Sequence, residues 1–349
     1  MSGEFACCHL MIIVMHPEAT SEEVGQIVER LQELGADIHV TSEGGRTVVS
    51  GTTESKLADE APWASLPGVE RVVPVLRGGR RVGRHFKSAD TVVEALGTRI
   101  GDGSLTVAAG PCAVESRDQM LETARLVAAA GARMIRGDAF KPRTSPYAFQ
   151  GLGKAGLEIL AEAREETGLP VVAEVLDPRE VDLVGAYADL LRIGTRNMSN
   201  QALLREVGRQ SKPVMLKRGW ASTIEEWVDA AEYIYNEGNP AIVMVERGIR
   251  GFDPSARNTL DISAVPLVKL LTHLPVMVDP SHAAGRGDIV PALARAAVAA
   301  GADGVMIDVH PRPATAMVDG RQALLPNQFE NLMRELEAVA SAVRPVPSD

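Results

Sequence analysis

The segment from Arg136 to Gly151 concentrates groups that bind anions, and it reads RGDAFKPRTSPYAFQG. Its cations and hydroxyls are Arg136, Lys141, Arg143, Thr144 and Ser145. Pro142 and Pro146 stiffen the segment because their rings fix φ, and the polar composition predicts a loop. The apolar run at 132–135 predicts a buried strand, so this loop begins where a strand ends. Guanidinium, ammonium and hydroxyl groups on a stiff loop favour a phosphorylated anion as ligand over a solvated basic surface.

Three more cations follow other short apolar runs, and they are Arg196, Lys217 and Arg247. Together with the cations of the first segment they would form a strongly positive basin in an acidic chain. Such a basin suits a substrate that carries several phosphate or carboxylate charges. Any one of these cations could instead form a salt bridge to a neighbouring helix. Separate salt bridges are a poor explanation for all six cations together.

A second group of residues can bind a metal ion, and it comprises Cys112, His282, Asp308 and Asp319. One thiolate, one imidazole and two carboxylates can hold a divalent first-row ion and leave a coordination position open. Such an ion could polarise a carbonyl oxygen. The four residues lie far apart in sequence, and each has an alternative role. Cys112 fits a small buried hydrophobe, and His282 fits a hydrogen bond within its own loop.

Alternating apolar runs and helical patterns predict the fold that positions these groups. The predicted strands are 105–109, 133–136, 170–175, 189–193, 213–217, 241–245, 275–279 and 303–308. Eight strand–helix units over about 240 residues predict a closed (β/α)₈ TIM barrel. An open doubly wound sheet is the alternative, but no GxGxxG follows the first strand. In a barrel, catalytic groups lie at the C-terminal strand ends, and closure makes the first, seventh and eighth strands neighbours. Because these three strands are neighbours, closure of the barrel favours the interpretation of Cys112, His282 and Asp308 as metal ligands.

The first 77 residues predict a separate small domain. Apolar and helical segments follow in the order βαββαβ, which is typical of a ferredoxin-like α+β sandwich. A basic, glycine-rich break at 77–81 predicts the boundary. We therefore divide the chain into residues 1–77, a linker and barrel lead-in at 78–103 with a short helix near 91–96, and the catalytic barrel at 104–349. Small-molecule sensing and a purely structural role are equally compatible with the small domain.

The composition is that of an ordinary globular protein, with 349 residues of which 45% are hydrophobic and 23% charged. The net charge of −10 argues against a nucleic-acid backbone as the main partner. No segment approaches the roughly 20 apolar residues of a membrane span, and the N-terminus lacks the basic region of a signal peptide. Three cysteines make no disulfide framework, which favours a reducing, cytoplasmic location.

Several long motifs together resemble one family. They are GPCAVES at 110–116, KPRTSPYAFQG at 141–151, IGTRNMSN at 193–200, KRG at 217–219, ERGIR at 246–250, NTLDISAVP at 258–266 and VDPSHAAGR at 278–286. From about residue 104 to its end the chain resembles the 3-deoxy-D-arabino-heptulosonate 7-phosphate (DAHP) synthases. The resemblance is to the type I branch related to the 3-deoxy-octulosonate-phosphate (KDO8P) synthases. The N-terminal unit resembles the ferredoxin-like, ACT-like regulatory domain of some members.

The resemblance implies an activity and a set of site residues. The activity is condensation of phosphoenolpyruvate (PEP) with erythrose 4-phosphate (E4P), with release of phosphate, at the entry to the shikimate pathway of aromatic amino-acid biosynthesis. The implied PEP site comprises Arg136, Lys141, Arg196, Lys217 and Arg247. The implied E4P site comprises Arg143, Thr144 and Ser145. The implied metal ligands are Cys112, His282 and Asp319, with Asp308 at the fourth position.

Two residues are candidates for the chemical steps. Lys141 could donate a proton to the forming alkoxide. Glu174 could orient or deprotonate the attacking water, although a role as partner of a site cation fits it equally well. The implied cofactor is a divalent metal ion, with Mn²⁺ favoured and Co²⁺, Fe²⁺ or Zn²⁺ as alternatives.

Two residues depart from the family pattern. Asp308 stands where the family has Glu, and the missing methylene shortens the reach of the carboxylate by about 1.5 Å. This departure bears on metal affinity and metal choice. Asp138 stands where related sequences often have Gly, and we expect its charge to pair with Arg136 or Arg143.

The resemblance also implies partners and leaves alternatives. It implies inhibition by an aromatic amino acid at the N-terminal domain and a homotetramer, with a dimer as the alternative. One alternative function is a KDO8P synthase that uses arabinose 5-phosphate. Another is a regulatory barrel that binds phosphate ligands but has lost turnover through Asp308. The KPRTS sequence with Thr144, and the N-terminal domain, favour the DAHP synthase.

Overall fold

The structure, a computed structural model, describes residues 9–43, 46–53, 61–74 and 80–343. The chain forms two compact units that divide between Ala89 and Asp90, with Leu270–His273 grouped with the first unit. This division falls inside the segment 78–103 that the sequence predicts as linker and lead-in. The predicted basic break at 77–81 lies partly outside the described residues.

The N-terminal unit is a four-stranded antiparallel sheet packed against helices. Its elements are β1 (His9–Met15), α1 (Ser21–Glu33), β2 (Asp37–Glu43), β3 (Arg46–Thr53), α2 (Ala61–Ala64) and β4 (Val69–Pro74). The strand order is β2-β3-β1-β4. Ile27 and Leu31 of α1 and Trp63 of α2 share one buried core with Ile13 and Met15 of β1. The predicted βαββαβ order is confirmed.

A short antiparallel hairpin precedes the barrel, formed by β5 (Val93–Ala95) and β6 (Thr98–Ile100). The predicted helix near 91–96 is therefore wrong. Leu96 and Gly97 adopt positive φ values of 45° and 77°, which closes a tight two-residue turn between the strands. In β5, Val93 and Ala95 are buried and Glu94 is exposed, as the period of two residues in a strand requires.

Eight parallel strands form the barrel. They are β7 (Thr106–Gly110), β8 (Met134–Arg136), β9 (Val171–Val175), β10 (Leu190–Ile193), β11 (Val214–Lys217), β12 (Ile242–Glu246), β13 (Val276–Val278) and β14 (Gly304–Asp308). The sheet closes in the order β10-β11-β12-β13-β14-β7-β8-β9, so β14 pairs with β7. The predicted closed barrel is confirmed, and the open doubly wound alternative is wrong.

The barrel interior is a packed apolar core at the N-terminal ends of the strands. Met134 and Leu190, which begin their strands, share this core with Val93, Ala95 and Ile100 of the hairpin. The hairpin therefore closes the N-terminal end of the barrel. Barrels of this type carry their binding and catalytic groups at the other, C-terminal end of the strands.

Helices alternate with the barrel strands. They are α3 (Arg117–Ala129), α4 (Lys154–Thr167), α5 (Val181–Tyr187), α6 (Gln201–Gly208), α7 (Ile224–Asn236), α8 (Ala264–Leu271), α9 (Pro280–Ala284), α10 (Val290–Ala299) and α11 (Pro326–Val343). Short 3₁₀ helices lie at Pro178–Glu180, Thr195–Asn197, Pro313–Thr315 and Gly320–Gln322. Within the described ranges, no helix combines the length and the apolar character needed to cross a membrane.

Candidate active site

The C-terminal ends of the barrel strands open onto a cavity of about 510 Å³. The predicted site residues that line it are Lys141, Arg143, Thr144, Ser145, Glu174, Arg196, Lys217, Arg247, His282 and Asp319. The remaining three are Cys112, Arg136 and Asp308, which are buried. Cys112 and Asp308 both contact His282 of the lining. The structure thus brings all the predicted residues to one end of the barrel.

Three potential metal ligands form a close triangle. The Sγ atom of Cys112 lies 3.6 Å from Nε2 of His282 and 3.2 Å from Oδ2 of Asp319. The Nε2 atom of His282 lies 3.7 Å from the same oxygen of Asp319. Ligands of one tetrahedral ion, at bond lengths of about 2.0 to 2.3 Å, lie roughly 3.3 to 3.8 Å apart. The donor set and its spacing therefore fit a divalent first-row metal ion.

The close approach of β7 and β8 places Cys112. A Cβ atom on Gly110 would lie 2.1 Å from the carbonyl oxygen of Arg136, so only glycine allows the two strands to come this near. Burial raises the pKa of the Cys112 thiol to about 12. A thiolate at this position therefore needs a compensating positive charge, which a bound metal ion provides.

The imidazole of His282 is oriented by Asp279. Asp279 caps the short helix α9, because its Oδ1 accepts the backbone N–H of His282 at 2.9 Å. Its Oδ2 lies 2.9 Å from Nδ1 of His282, which assigns the ring proton to Nδ1. Burial lowers the pKa of His282, although Asp279 and Asp308 oppose the effect. The neutral ring thus presents its Nε2 lone pair to Cys112 and Asp319, as metal-binding histidines do.

Asp308 approaches Nδ1 of the imidazole, whereas the triangle is formed at Nε2. Its Oδ1 accepts from Nη1 of Arg136 at 2.7 Å, and its Oδ2 accepts from Nε2 of Gln322 at 2.6 Å. Oδ2 also lies 3.7 Å from Nδ1 of His282. Cys112, His282 and Asp308 nonetheless each bring one ligand atom within 4.8 Å of the others. Asp308 therefore stays within reach of an ion while it pairs with Arg136.

Arg257 holds the other carboxylate of the group. Its Nη2 donates to Oδ1 of Asp319 at 2.9 Å, which leaves Oδ2 facing Cys112 and His282. Burial opposes the charge of Asp319, but the hydrogen bond and positive charge of Arg257 hold the pKa of this carboxyl far below its usual range. Asp319 is therefore an ionised ligand at neutral pH.

Arg136 and Lys141 form the buried floor of the cationic group. Nη1 of Arg136 donates to the carbonyl of Pro111 at 2.9 Å, in addition to Asp308. Nζ of Lys141 donates to the carbonyl of Cys112 at 3.0 Å and to Asp138 at 2.5 Å. Burial opposes the charge of Lys141, but Asp138 raises its pKa above the ordinary value. Lys141 is therefore an ammonium group at neutral pH.

Asp138 has different partners from those that the sequence predicts. It contacts Arg136 at 3.6 Å, as predicted, but its nearest partners are Lys141 and Arg192. The predicted pair with Arg143 is wrong, because Arg143 donates to the carbonyl of Phe149 at 3.4 Å. The positions of the two residues explain the difference. The side chain of Asp138 is buried inside the barrel, whereas Arg143 lies five residues later in the loop, at the wall of the cavity.

Glu174, near the end of β9, lines the cavity and pairs with a buried cation. Nη2 of Arg192 donates to Oε2 of Glu174 at 2.8 Å. A Cβ atom on Gly194 would lie 1.8 Å from Oε1 of Glu174, so the glycine makes room for this carboxylate. Glu174 is thus both a partner of a site cation and accessible to a ligand in the cavity.

Lys217 and Arg247 extend the cationic floor on the other side. Lys217 ends β11, and its Nζ donates to Oδ2 of Asp279. Burial lowers the pKa of Lys217 to about 8, against the opposing effect of Asp279. Arg247 follows β12 and donates to the carbonyls of Gly248 at 3.4 Å and His282 at 3.3 Å.

Several guanidinium atoms of this floor have spare hydrogen-bonding capacity. Among the described residues, the buried Nε atoms of Arg136, Arg192 and Arg247 have no hydrogen-bond partner. Buried polar atoms without partners are costly and rare in native proteins. Three such donors beneath one cavity indicate a ligand that is rich in acceptor oxygens.

The rim of the cavity is more exposed and carries the predicted E4P residues together with Arg196, the exposed member of the predicted PEP set. Arg196 lies 5.0 Å above the ring of Trp220, and its Nη2 lies 3.4 Å from Oγ1 of Thr144. Arg250 lies over the same ring at 5.5 Å. Thr144 and Arg196 are exposed. A flexible phosphate group could thus be bound between the loop and these arginines.

Sequence reasoning missed several residues of the site. The positioning residues that it did not single out are Arg192, Asp279, Arg257 and Gln322. One signal was available for Arg192, since a lone arginine inside the apolar run Leu190–Ile193 calls for a buried anion. Gln322 ends a short 3₁₀ helix and Arg257 lies in a loop, and only the fold brings them to Asp308 and Asp319.

Comparison with known proteins gives the family. Residues 87–344 match the DAHP synthetase I family, and residues 11–77 match the DAHP synthase ferredoxin-like domain. The chain belongs to the DAHP synthetase I family. Its curated relatives differ in the sugar acid that their names state.

Two curated relatives illustrate this. A phospho-2-dehydro-3-deoxyheptonate aldolase from Thermotoga maritima is 44% identical over 95% of this chain and 98% of its own. A 2-dehydro-3-deoxyphosphooctonate aldolase from a Bradyrhizobium species is 34% identical over 72% of this chain and 94% of its own. The eight-carbon relative thus covers a smaller part of this chain than the seven-carbon relative.

Solved structures agree with this family assignment. The crystal structure of DAHP synthase from Thermotoga maritima matches with a TM-score of 0.75, 44% identity and coverage of 96% of this chain and 98% of that chain. A truncated form of the same organism's synthase matches with a TM-score of 0.70 and 45% identity. It covers 75% of this chain and 96% of that chain. The chain therefore shares its fold with the Thermotoga maritima synthase over nearly the whole length of both chains.

Proposed function

We propose that this chain condenses PEP with E4P and water to give DAHP and phosphate, the first step of the shikimate pathway. The observation that carries the proposal is one cavity in which a Cys–His–Asp triangle adjoins a buried cationic floor. The triangle suits a divalent metal and the floor suits a phosphorylated carboxylate. The relative with the seven-carbon name supports the choice of reaction, since it aligns over nearly the whole chain.

Five cations at the C-terminal ends of the barrel strands form the PEP site of this proposal. Its members are Arg136, Lys141, Arg196, Lys217 and Arg247. Four of them are buried, and the donors left without partners among them need an oxyanion. The E4P site comprises Arg143, Thr144 and Ser145, which lie on the loop at the outer wall of the cavity. This order places the three-carbon substrate below the four-carbon aldehyde.

A divalent metal ion is the proposed cofactor, with Mn²⁺ favoured over Co²⁺, Fe²⁺ and Zn²⁺. Cys112, His282 and Asp319 would hold it, and Asp308 would complete the set directly or through water. When bound, the ion polarises the aldehyde oxygen of E4P.

The chain's own residues account for the proton transfers. C3 of PEP attacks the aldehyde carbon, and Lys141 donates a proton to the aldehyde oxygen as the new C–C bond forms. Positive charge develops at C2 of PEP. Glu174 orients the water that adds to C2 and accepts a proton from it. The C2–O bond to phosphate then breaks while the proton of the new C2 hydroxyl passes to the departing phosphate, which leaves the ketone of DAHP and inorganic phosphate.

A KDO8P synthase that uses arabinose 5-phosphate is the second candidate, because curated relatives with the eight-carbon name are about one-third identical. The N-terminal unit argues against it, since residues 11–77 match the ferredoxin-like domain of DAHP synthases. We therefore retain it as an outcome of the experiment below.

Phosphate release from PEP, measured with each aldose, tests the proposal. We expect release with E4P, little release with arabinose 5-phosphate, loss of release with EDTA and recovery with Mn²⁺. Release only with the five-carbon aldose would identify the KDO8P synthase. No release with either aldose, in metal-supplemented enzyme, would favour a regulatory barrel that has lost turnover.

The N-terminal unit, which matches the ferredoxin-like domain of DAHP synthases, is the candidate site of regulation. We propose that an aromatic amino acid such as tyrosine or phenylalanine inhibits the enzyme through its N-terminal unit. Adding each amino acid to the phosphate-release assay tests this, and unchanged rates with all of them would refute it.

We further propose a homotetramer in the cytoplasm, with a dimer as the alternative. Sedimentation equilibrium measures the mass, and a monomer would refute the assembly.

A further inference from the structure

A fully buried carboxylate lies directly beneath the proposed PEP site. Both oxygens of Asp138 lie 2.6 Å from Nη2 of Arg192, and Oδ2 also lies 2.5 Å from Nζ of Lys141. Nη2 of Arg136 is 3.6 Å away. Two of these three cations, Lys141 and Arg192, line the cavity. Asp138 therefore binds the cations that a phosphorylated ligand would need.

The charges around Asp138 balance in the free protein. The cations Arg136, Lys141 and Arg192 face the carboxylates Asp138, Glu174 and Asp308. Burial opposes the charge of Asp138, but Arg192 and Lys141 hold the pKa of its carboxyl well below the usual range. The positive charge of the inner part of the site is thus neutralised by carboxylates before any substrate binds.

The balance has a cost for ligand binding. A phosphate or carboxylate that enters the cavity must share Lys141 and Arg192 with a carboxylate that already takes their N–H donors. Charge-assisted hydrogen bonds shared in this way contribute less to binding than bonds from free cations. Arg192 also keeps Glu174 as a second partner, so it remains fixed if Asp138 loses its charge.

We propose that Asp138 is an internal competitor that weakens the binding of PEP and of product phosphate by sharing Lys141 and Arg192 with them. This inference rests on the PEP site proposed above. It makes Asp138 a positioning residue that sets substrate and product affinity, because its carboxylate contacts cations and not the reacting atoms. In this role Asp138 limits inhibition by the phosphate that each turnover releases.

The Asp138→Asn variant tests the proposal, because it removes the charge and keeps the shape of the side chain. Two measurements apply to the metal-loaded full chain: calorimetric titration with inorganic phosphate, and the KM for PEP with the inhibition constant of phosphate. We expect the Kd and inhibition constant of phosphate, and the KM for PEP, to fall about ten-fold. If Asp138 had only a structural role, its substitution would lower stability or kcat without raising the affinity for phosphate.

Two further variants control for charge. Asp138→Asn combined with Arg192→Gln removes the carboxylate together with one of the two cations that it shares, so we expect the ten-fold tightening of phosphate binding to be lost. Glu162→Gln changes the net charge by the same amount as Asp138→Asn. Glu162 lies at the surface of α4, where it pairs with Arg117 of α3. We expect wild-type phosphate affinity in that variant.

Unchanged or weaker phosphate binding in a folded Asp138→Asn protein would overturn the proposal. If that variant does not fold, Asp138→Ser is measured in the same way, with the same expected result and the same refuting one. The calorimetric titration needs no turnover. Failure of the proposed reaction in the wild type is therefore distinguishable from failure of this inference.

Discussion

Replacing Cys112 by alanine is expected to abolish metal-dependent turnover and leave the fold intact. The Sγ atom faces His282 and Asp319 at 3.6 Å and 3.2 Å, so the substitution removes one donor from the triangle. Lys141 binds the backbone carbonyl of Cys112, and this contact survives the change. Loss of a metal that stabilises transition-state charge by several kcal/mol corresponds to roughly a thousand-fold lower kcat.

The measurements are kcat with added Mn²⁺ and the metal content of the dialysed protein. Asp308→Glu is the matched variant, because it lengthens a carboxylate of the same group by one methylene. We expect it to retain the ion and to bind it at least as tightly as the wild type. Full activity of the Cys112→Ala protein in the presence of a chelator would refute the metal site.

Replacing Lys141 by glutamine is expected to lower kcat by roughly 10² to 10⁴-fold, the range for loss of a general acid. Lys141 carries three N–H donors, and Asp138 and the carbonyl of Cys112 accept two of them. One donor remains for a substrate oxygen. Because Asp138 raises the pKa of Lys141, the group holds its proton at neutral pH until a stronger base forms beside it.

A matched Lys141→Arg variant separates charge from proton transfer. Arginine keeps the positive charge but rarely gives up a proton, since its pKa is above 12. We therefore expect near-normal KM for PEP with a low kcat in Lys141→Arg, and a raised KM with a low kcat in Lys141→Gln. A normal kcat in the arginine variant would show that Lys141 contributes charge alone.

The barrel was predictable because its strands are short apolar runs with helical patterns between them. The run predicted at 213–217, for example, is the strand Val214–Lys217. Strand ends then carry the site, so the convergence of Cys112, His282 and Asp308 followed from closure of β14 on β7. The roles assigned to these residues stay predictions until the experiments above are done.

Contacts made from loops, and the short hairpin before the barrel, could not be predicted from the sequence. Arg257 reaches Asp319 across 62 positions, and Gln322 reaches Asp308 from a 3₁₀ turn, so no local pattern marks either contact. The hairpin at 93–100 is too short to show a period, and its positive φ at Leu96 is unusual for leucine. In each case tertiary packing decides the local conformation.

The hairpin that fills the N-terminal end of the barrel has a kinetic consequence. A barrel closed at one end has a single entrance, so both substrates and both products use the same mouth. The proposed PEP cations Arg136 and Lys217 are buried, whereas Thr144 of the proposed E4P site is exposed at the rim. An aldehyde bound at the rim would obstruct the path below it. Addition should therefore be ordered, with PEP first, and initial-rate patterns that fit random addition would contradict this.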